Sequence, residues 1–353
     1  MLISAIGIIL LFSIIISIHE FGHFIVAKKS GIKVEKFSIG FGPKIFSWKR
    51  GDTVYQVCII PFGGFIKLAG EEFEEKEKFE DWEYMGKSPG IRSRVIVAGS
   101  LNNLLLGFLL LIPAFMLGLP GYDGTKIGSL LKGKPAERAG LKPGDEIIEV
   151  NGKRCKRWFD VLMNIRKEAN KNKDLPIKVK VKRNGKIMEF KVKPSLLDEK
   201  EKIYGIGILP KEKKEKYLFP QAIIRAGKEF STMVYGVFVA IKMLITKQVS
   251  AKLLSGPVGI AKWSAEIIHS GFARYLYFIA FISVNLGILN LLPVPVFDGG
   301  HLFGLFIERI TRRRPSKKIL EIIQYIGAVS LIFLALYVTY NDILRILQEM
   351  VKK

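Results

Sequence analysis

Four long stretches of apolar residues constrain this chain more than any other feature of its sequence. Residues 1–18 carry no charge and are followed by apolar residues up to Ala27, and the uncharged stretches 95–119, 275–297 and 322–340 come later. Each is near or above the roughly 18–20 apolar residues that a helix needs to cross a membrane. We therefore predict a polytopic α-helical membrane protein with four transmembrane helices. A secretory signal peptide is the alternative for the first stretch. It fits poorly, because no basic residue precedes the apolar run and no small-residue cleavage site follows it.

Basic residues beside these stretches set the expected orientation, because cytoplasmic loops carry an excess of Lys and Arg. Such residues follow the first stretch, precede the second, and cluster between the third and the fourth. The N-terminus, residues 122–215 and the C-terminus are therefore predicted to be extracytoplasmic.

A net charge of +23 would suit a protein that binds nucleic acid. However, the sequence contains no aromatic–basic platform and no recognition-helix pattern. Contact with anionic lipid head groups, or a solvated surface, explains the charge better. We expect the lipid bilayer, and no nucleic acid, as a partner.

Four segments can be distinguished along the chain. Residues 1–121 contain the first two predicted spans, and residues 122–215 contain short β-rich runs with one helical stretch, which predict a small α+β domain. Residues 216–270 include an apolar run interrupted by a lysine, which predicts an interfacial helix. Residues 271–353 contain the last two spans.

A β-hairpin is predicted between the first two spans. Short alternating runs at 44–48 and 53–60 flank the turn signal Arg50-Gly51-Asp52. The run 61–65 that follows is turn-rich and apolar, and we expect it to dip into the membrane or to line a cavity.

A metal-binding pattern interrupts the first apolar stretch. The sequence His19-Glu20-Phe21-Gly22-His23 reads H-E-x-x-H, and positions four apart lie on one face of a helix, so that both imidazoles can bind one ion. Glu20 projects about 100° around the helix from His19 and can reach a metal-bound water without being a ligand. Imidazole suits Zn²⁺, and ionisable residues within a span are usually functional. The alternative is that these side chains snorkel at the cytoplasmic end, near Lys28.

A catalytic zinc site needs a third protein ligand. Pro293 and Pro295 cannot continue a regular helix, so the third span must break at membrane depth. Irregular backbone is tolerated there only inside protein or along a wet cavity. Asp298 follows this break and is the best candidate for the third ligand, with His301 as a rival.

These motifs resemble the site-2 protease family of intramembrane zinc metalloproteases, and in particular its bacterial regulator of sigma-E protease branch, over essentially the whole chain. The resemblance rests on H-E-F-G-H at 19–23, N-x-x-P-x-P-x-x-D-G at 290–299, and the family's membrane-associated β-hairpin motifs at 41–43 and 61–65. The second-span motif departs from the family's A-G-P-x-x-N, because Ser100 stands in place of proline.

The resemblance implies roles for particular residues. The zinc ligands would be His19, His23 and Asp298, with Glu20 as the general base and His301 outside the ligand set. The residues that position substrate beside the metal would be Asn290, Pro293 and Pro295.

Residues 139–152 resemble PDZ domains of bacterial envelope proteases, and there is room for only one such domain. Its carboxylate-binding loop would include Gly205, Ile206 and Gly207, next to a strand edge that can accept an extended extracytoplasmic peptide. Alternatively, this groove acts only as a spacer or size filter.

By resemblance, this multi-pass protein would lie in the bacterial inner membrane. It would hydrolyse peptide bonds within or near the transmembrane segment of single-span membrane proteins, such as anti-sigma factors or signal-peptide remnants. Two other classes of protein remain open. One is a non-catalytic membrane scaffold that recruits partners through its PDZ-like groove, and the other is a metal transporter that uses the same ligands.

Overall fold

The computed structural model describes residues 2–71, 79–198, 203–246, 256–313 and 316–350. The chain forms two compact units. The membrane unit comprises residues 1–117 and 217–353, and the inserted unit comprises Gly118–Lys216. The predicted α+β segment, 122–215, falls within the inserted unit.

Among the described residues, four helices of the membrane unit are long and apolar enough to cross a membrane. They overlap the four predicted spans and are α1 (Leu2–Lys29), α2 (Pro89–Leu117), α7 (Phe272–Asn290) and α9 (Lys317–Met350).

Helix α2 packs against both α1 and α7. Glycines permit a close approach of the backbones: a Cβ built on Gly22 of α1 would collide with the carbonyl group of Ala98 on α2. Likewise, a Cβ on Gly107 of α2 would lie 2.5 Å from a methyl group of Val284 on α7. Small residues at such crossings are typical of helix packing in membranes, where close van der Waals contact replaces the hydrophobic effect as the driving force.

Strands β1 (Val34–Arg50) and β2 (Thr53–Leu68) form the hairpin between α1 and α2. They extend well beyond the predicted runs and fold back on themselves, since Phe37 lies opposite both Tyr55 and Ile66. The final segment of β2, residues 64–68, therefore pairs with the start of β1. Membrane association of this hairpin remains a prediction.

Three further helices complete the described part of the membrane unit: α5 (Phe219–Ile245), α6 (Pro257–His269) and α8 (Asp298–Thr311). Helix α5 buries residues of one face, as expected for an amphipathic helix: Ala222, Ala226, Met233 and Val237. Helix α6 was not predicted. It begins just after Gly256, whose backbone N–H donates to the Asp342 carboxylate of α9 at 2.9 Å.

The inserted unit is built on one antiparallel sheet in the order β10-β3-β4-β6-β7. These strands are β3 (Leu119–Leu130), β4 (Glu146–Val150), β6 (Ile177–Arg183), β7 (Lys186–Val192) and β10 (Ile208–Glu215). The smaller elements are α3 (Pro135–Arg138), β5 (Lys153–Arg154), β8 (Ser195–Asp198) and β9 (Ile203–Gly205).

Helix α4 (Trp158–Lys171) covers the core of this unit. Its buried residues Val161, Ile165 and Ala169 follow the helical period, whereas Ile177 and Val179 of β6 follow the alternation of a strand. The two patterns meet in one cluster of buried side chains.

Candidate metal centre

The site forms where α1 meets the first residue of α8. Nε2 of His19 lies 3.1 Å from Nε2 of His23, and Oδ2 of Asp298 lies 3.2 Å from the former and 3.5 Å from the latter. The ligand atoms of a tetrahedral ion with bonds of about 2.0–2.1 Å stand about 3.3–3.4 Å apart. The three side chains thus already have the mutual spacing that Zn²⁺ requires, and within the described residues they form the only such group of His, Cys, Asp and Glu.

The chemistry of these atoms also fits a cation. Oδ2 of Asp298 is buried and has no hydrogen-bond partner among the described residues. A buried carboxylate oxygen without a partner is costly, and it faces two imidazole nitrogens whose lone pairs can point the same way. A bound cation would satisfy all three atoms at once.

The backbone of α2 orients His23. Its Nδ1 lies 2.8 Å from the carbonyl oxygen of Val95, which can only accept a hydrogen bond. Nδ1 must therefore carry the proton, which leaves the lone pair of Nε2 free for a metal.

An asparagine of α2 faces the other imidazole. The side-chain nitrogen of Asn103 lies 3.4 Å from Nδ1 of His19, while its Oδ1 is buried without a partner among the described residues. If the Asn103 amide is rotated by 180°, Oδ1 can accept a hydrogen bond from the Nδ1–H of His19, so that both groups gain a partner. His19 would then have the same tautomer as His23.

Gly99 of α2 lies directly against both imidazoles. A Cβ built on it would collide with the His23 ring and would lie 2.8 Å from Cε1 of His19. The close approach of α1 and α2 therefore requires glycine at this position. The sequence analysis did not connect Val95, Gly99 or Asn103 with the ligands. The available signal was the A-G-x-x-x-N pattern at 98–103, in which Gly99 and Asn103 are one helical turn apart.

Asp298 lies on a separate helix that the sequence analysis did not predict. Helix α7 ends at Asn290, a loop follows over residues 291–297, and Asp298 is the first residue of the separate helix α8. The two prolines end the helix, as expected. Val296 has a φ of 82°, a rare conformation for a β-branched residue, which turns the chain just before the ligand.

A cavity of about 570 Å³ opens onto the three candidate ligands. The predicted base Glu20 lines it, and so do Pro293 and Pro295. Asn290 lies beside it, because its side-chain nitrogen is 3.5 Å from Nε2 of His19. His301 also lines the cavity but is outside the group of three.

The predicted PDZ-loop residues lie in the inserted unit. Ile206 is only 1% exposed and belongs to the core of that unit, while Gly207 has a φ of 83°. The carbonyl groups of Ile206 and Gly207 accept hydrogen bonds from Ala136 and Leu131 at 2.8 Å and 2.9 Å. The loop is therefore held firmly in place, and the Ile206 side chain supports the fold rather than a groove.

Two imidazoles, one carboxylate and a neighbouring glutamate around a cavity are typical of zinc-dependent hydrolases. Comparison with known proteins agrees with this class. Residues 7–334 match peptidase family M50, and the chain belongs to that family.

Several bacterial proteins match the chain over almost its full length. A protein of Clostridium acetobutylicum is 35% identical over 95% of this chain and 96% of its own. The regulator of sigma-W protease RasP of Bacillus subtilis is 28% identical over 97% and 99%, and the zinc metalloprotease RasP of Geobacillus kaustophilus is 29% identical over 96% and 97%. A PDZ domain from Listeria monocytogenes is 28% identical over 25% of this chain and 88% of that domain, but its TM-score of 0.22 is too low to establish a shared fold.

These matches confirm the predicted site-2 protease family, the metalloprotease class and the zinc cofactor. The matched relatives and the four apolar helices together identify a bacterial membrane protein.

Substitution of Gly99 tests the metal centre. We expect Gly99→Ala to lower the zinc content of the purified protein to less than about a tenth, because the added methyl group displaces an imidazole. Gly90→Ala in the same helix is the matched control, since a Cβ there would meet only the end of the Arg309 side chain at 3.9 Å. Metal analysis by mass spectrometry measures both. Full zinc content in Gly99→Ala would contradict the geometry described above.

Proposed function

We propose that this family M50 zinc metalloprotease cleaves peptide bonds within or near the membrane-spanning segments of single-span proteins. In this proposal His19, His23 and Asp298 hold the metal and Glu20 is the general base. The observation that carries it is the group of three ligand atoms at tetrahedral spacing, which shares one cavity with the Glu20 carboxylate.

When bound, zinc supplies Lewis acidity, which lowers the pKa of water and polarises a peptide carbonyl. The Glu20 carboxylate then accepts the proton of the attacking water and returns it to the leaving amine. Its side chain is held against the hairpin, since a Cβ on Gly64 would lie 3.7 Å from Cγ of Glu20. Glu20 is also outside the group of three ligand atoms, which supports a role as base rather than as fourth ligand.

The loop between α7 and α8 would position the substrate. Asn290 can donate from its amide toward the site, where it lies 3.5 Å from Nε2 of His19. Pro293 and Pro295 line the cavity and offer carbonyl groups with no competing N–H groups of their own. An unwound substrate would lie along this loop.

Strand pairing with the hairpin would hold the unwound substrate. The hairpin residues that line the cavity are Phe65, Ile66 and Leu68. Their segment pairs with β1 on one side, and we infer that its other edge receives the substrate.

Proline scanning tests the strand pairing. Neighbouring N–H groups of a strand point to opposite sides, so one of Phe65→Pro and Ile66→Pro removes a donor on the edge away from β1, and the Ile66 N–H also bonds to the Glu20 carboxylate. We expect at least one of these variants to lose cleavage of a single-span reporter while it retains zinc. The matched controls are Phe65→Ala and Ile66→Ala. Cleavage at the control rate by both proline variants would refute the pairing.

The inserted unit would lie outside the cytoplasm, as the basic loops suggest, together with both termini. Strand β10 is at one end of the sheet order, and α4 exposes the apolar side chains of Phe159, Leu162 and Met163. We propose that a peptide can add to β10, with its carboxylate at Gly205–Gly207.

Labelling of Lys178→Cys in intact cells by a membrane-impermeant maleimide tests the predicted extracytoplasmic position of the inserted unit, and the absence of labelling would contradict it.

Peptide binding and size filtering by this groove can be separated experimentally. We expect a fluorescent apolar pentapeptide with a free carboxylate to bind the full-length protein, whereas the same peptide with an amidated C-terminus should not. Fluorescence anisotropy measures both. Absence of binding by either peptide would favour a size filter.

Substitution of the proposed base tests the function itself. We expect Glu20→Gln to reduce cleavage of a single-span reporter in liposomes by about 10²–10⁴-fold, because the amide cannot accept the proton of water. Zinc should be retained, since the three ligands are intact. Glu35→Gln, at an exposed position of β1, is the matched control. Equal cleavage by wild type and Glu20→Gln would overturn the assignment, and a protein without zinc or cleavage would instead be the scaffold.

A further inference from the structure

Helix α8, which carries the proposed ligand Asp298 in its first turn, is held to the rest of the membrane unit by few buried side chains. Only Gly299 and Leu305 are buried among its residues. Phe303, Phe306 and Ile310 are 53%, 59% and 65% exposed. Apolar packing therefore constrains the position of α8 weakly, although a metal ligand must be placed to within about 0.5 Å.

A buried ion pair provides a directional contact between α8 and α2. Arg92 of α2 donates through Nη2 to the carboxylate of Glu308, in the third turn of α8. The side chains of Arg92 and Glu308 are only 2% and 11% exposed. Ion pairs this deeply buried are costly to form, so their directional geometry is more informative than their contribution to stability.

The guanidinium group of Arg92 is itself fixed. Its Nε donates to the carbonyl oxygen of Lys87 at 3.1 Å, and its Nη1 donates to Sδ of Met85 at 3.5 Å. The guanidinium group of Arg92 therefore has a fixed orientation, and the Glu308 carboxylate must lie where Nη2 points. Because the guanidinium is planar and rigid, its bond to Glu308 sets both the distance and the direction of this contact between α8 and α2.

The same turn of α2 also orients a histidine ligand. Val95 is three residues after Arg92, and its carbonyl oxygen accepts the hydrogen bond from Nδ1 of His23. One segment of α2 thus contacts α1 through Val95 and α8 through Arg92. This segment of α2 therefore contacts both the helix that carries the two histidines and the helix that carries Asp298.

We propose that Arg92 and Glu308 are positioning residues that align Asp298 with the two histidines. The inference rests on the proposed ligand set. Removal of the pair keeps all three ligand residues in the chain but allows α8 to shift or rotate, so that Oδ2 of Asp298 no longer lies at the spacing of a tetrahedral ion. The direct consequence is weaker metal binding and an altered metal geometry.

The experiment measures zinc affinity by competition with a chelator, and the visible absorption spectrum of the cobalt-substituted protein. Both use the full-length protein in detergent, without any proteolysis assay. We expect Glu308→Gln to weaken zinc binding by about 10-fold or more, the range found for residues that orient metal ligands, and to change the shape of the cobalt spectrum. If Glu308→Gln does not fold, Arg92→Lys keeps the charge but lacks the fork, and the same changes are expected.

A matched control separates positioning from general stability. Asp145 in the inserted unit is 1% exposed and forms a bidentate pair with Arg183 at 2.6 Å and 2.7 Å. We expect Asp145→Asn to lower thermal stability but to leave the zinc affinity and the cobalt spectrum unchanged. The double variant Arg92→Met/Glu308→Leu removes both charges. If directional bonds position α8, the double variant should bind zinc as weakly as the single variants do. Wild-type zinc affinity in the double variant would contradict the proposal.

A parallel measurement on Asp298→Asn distinguishes the possible failures. Equal zinc affinity in wild type and Asp298→Asn would overturn the ligand set and the positioning role together. Affinity that is lost in Asp298→Asn but unchanged within about twofold in Glu308→Gln would overturn only the positioning role, because α8 would then be aligned without the pair.

Discussion

The metal centre depends on the close approach of α1 and α2 at two glycines. Gly22 lets the backbone of α1 contact Ala98, and Gly99 leaves room for both imidazoles between the helices. The Val95 carbonyl then fixes the tautomer of His23, and the ligand atoms reach tetrahedral spacing with Asp298. Ionisable groups at this depth would be costly without each other or a cation. The spacing of the ligand atoms therefore depends on how closely α1 and α2 pack, and a change in that packing would also change the metal centre.

The second requirement is an interruption of the apolar bundle where the third ligand enters. Pro293 and Pro295 end α7, and the positive φ of Val296 turns the chain so that α8 begins at Asp298. The same interruption creates one wall of the cavity, and the 64–68 segment of the hairpin lines it as well. A site for hydrolysis inside a membrane must admit water and an unwound peptide, and in the proposed mechanism this broken segment would provide polar backbone for both.

Much of this organisation could be predicted from the sequence. Uncharged stretches predicted the four apolar helices, H-E-x-x-H indicated two candidate ligands and the candidate base, and the two prolines indicated the break before Asp298. The separate helix α8 was not predicted, and its first turn contains two glycines, which have low helix propensity. Helix α6 is short and was not predicted either. The A-G-x-x-x-N pattern was a signal for Gly99. The roles of Val95 and Arg92 depend on a helix crossing and on a backbone carbonyl, and no residue pattern in a single sequence specifies those contacts.

X-ray absorption spectroscopy at the zinc edge of the purified protein would test the central claim most directly. Two imidazole ligands from His19 and His23, oxygen ligands that include the Asp298 carboxylate, and a coordination number near four are the predicted result. A sulfur ligand, a single imidazole, or an octahedral shell of oxygens would contradict the metal centre described here, and with it the proposed catalytic role of Glu20.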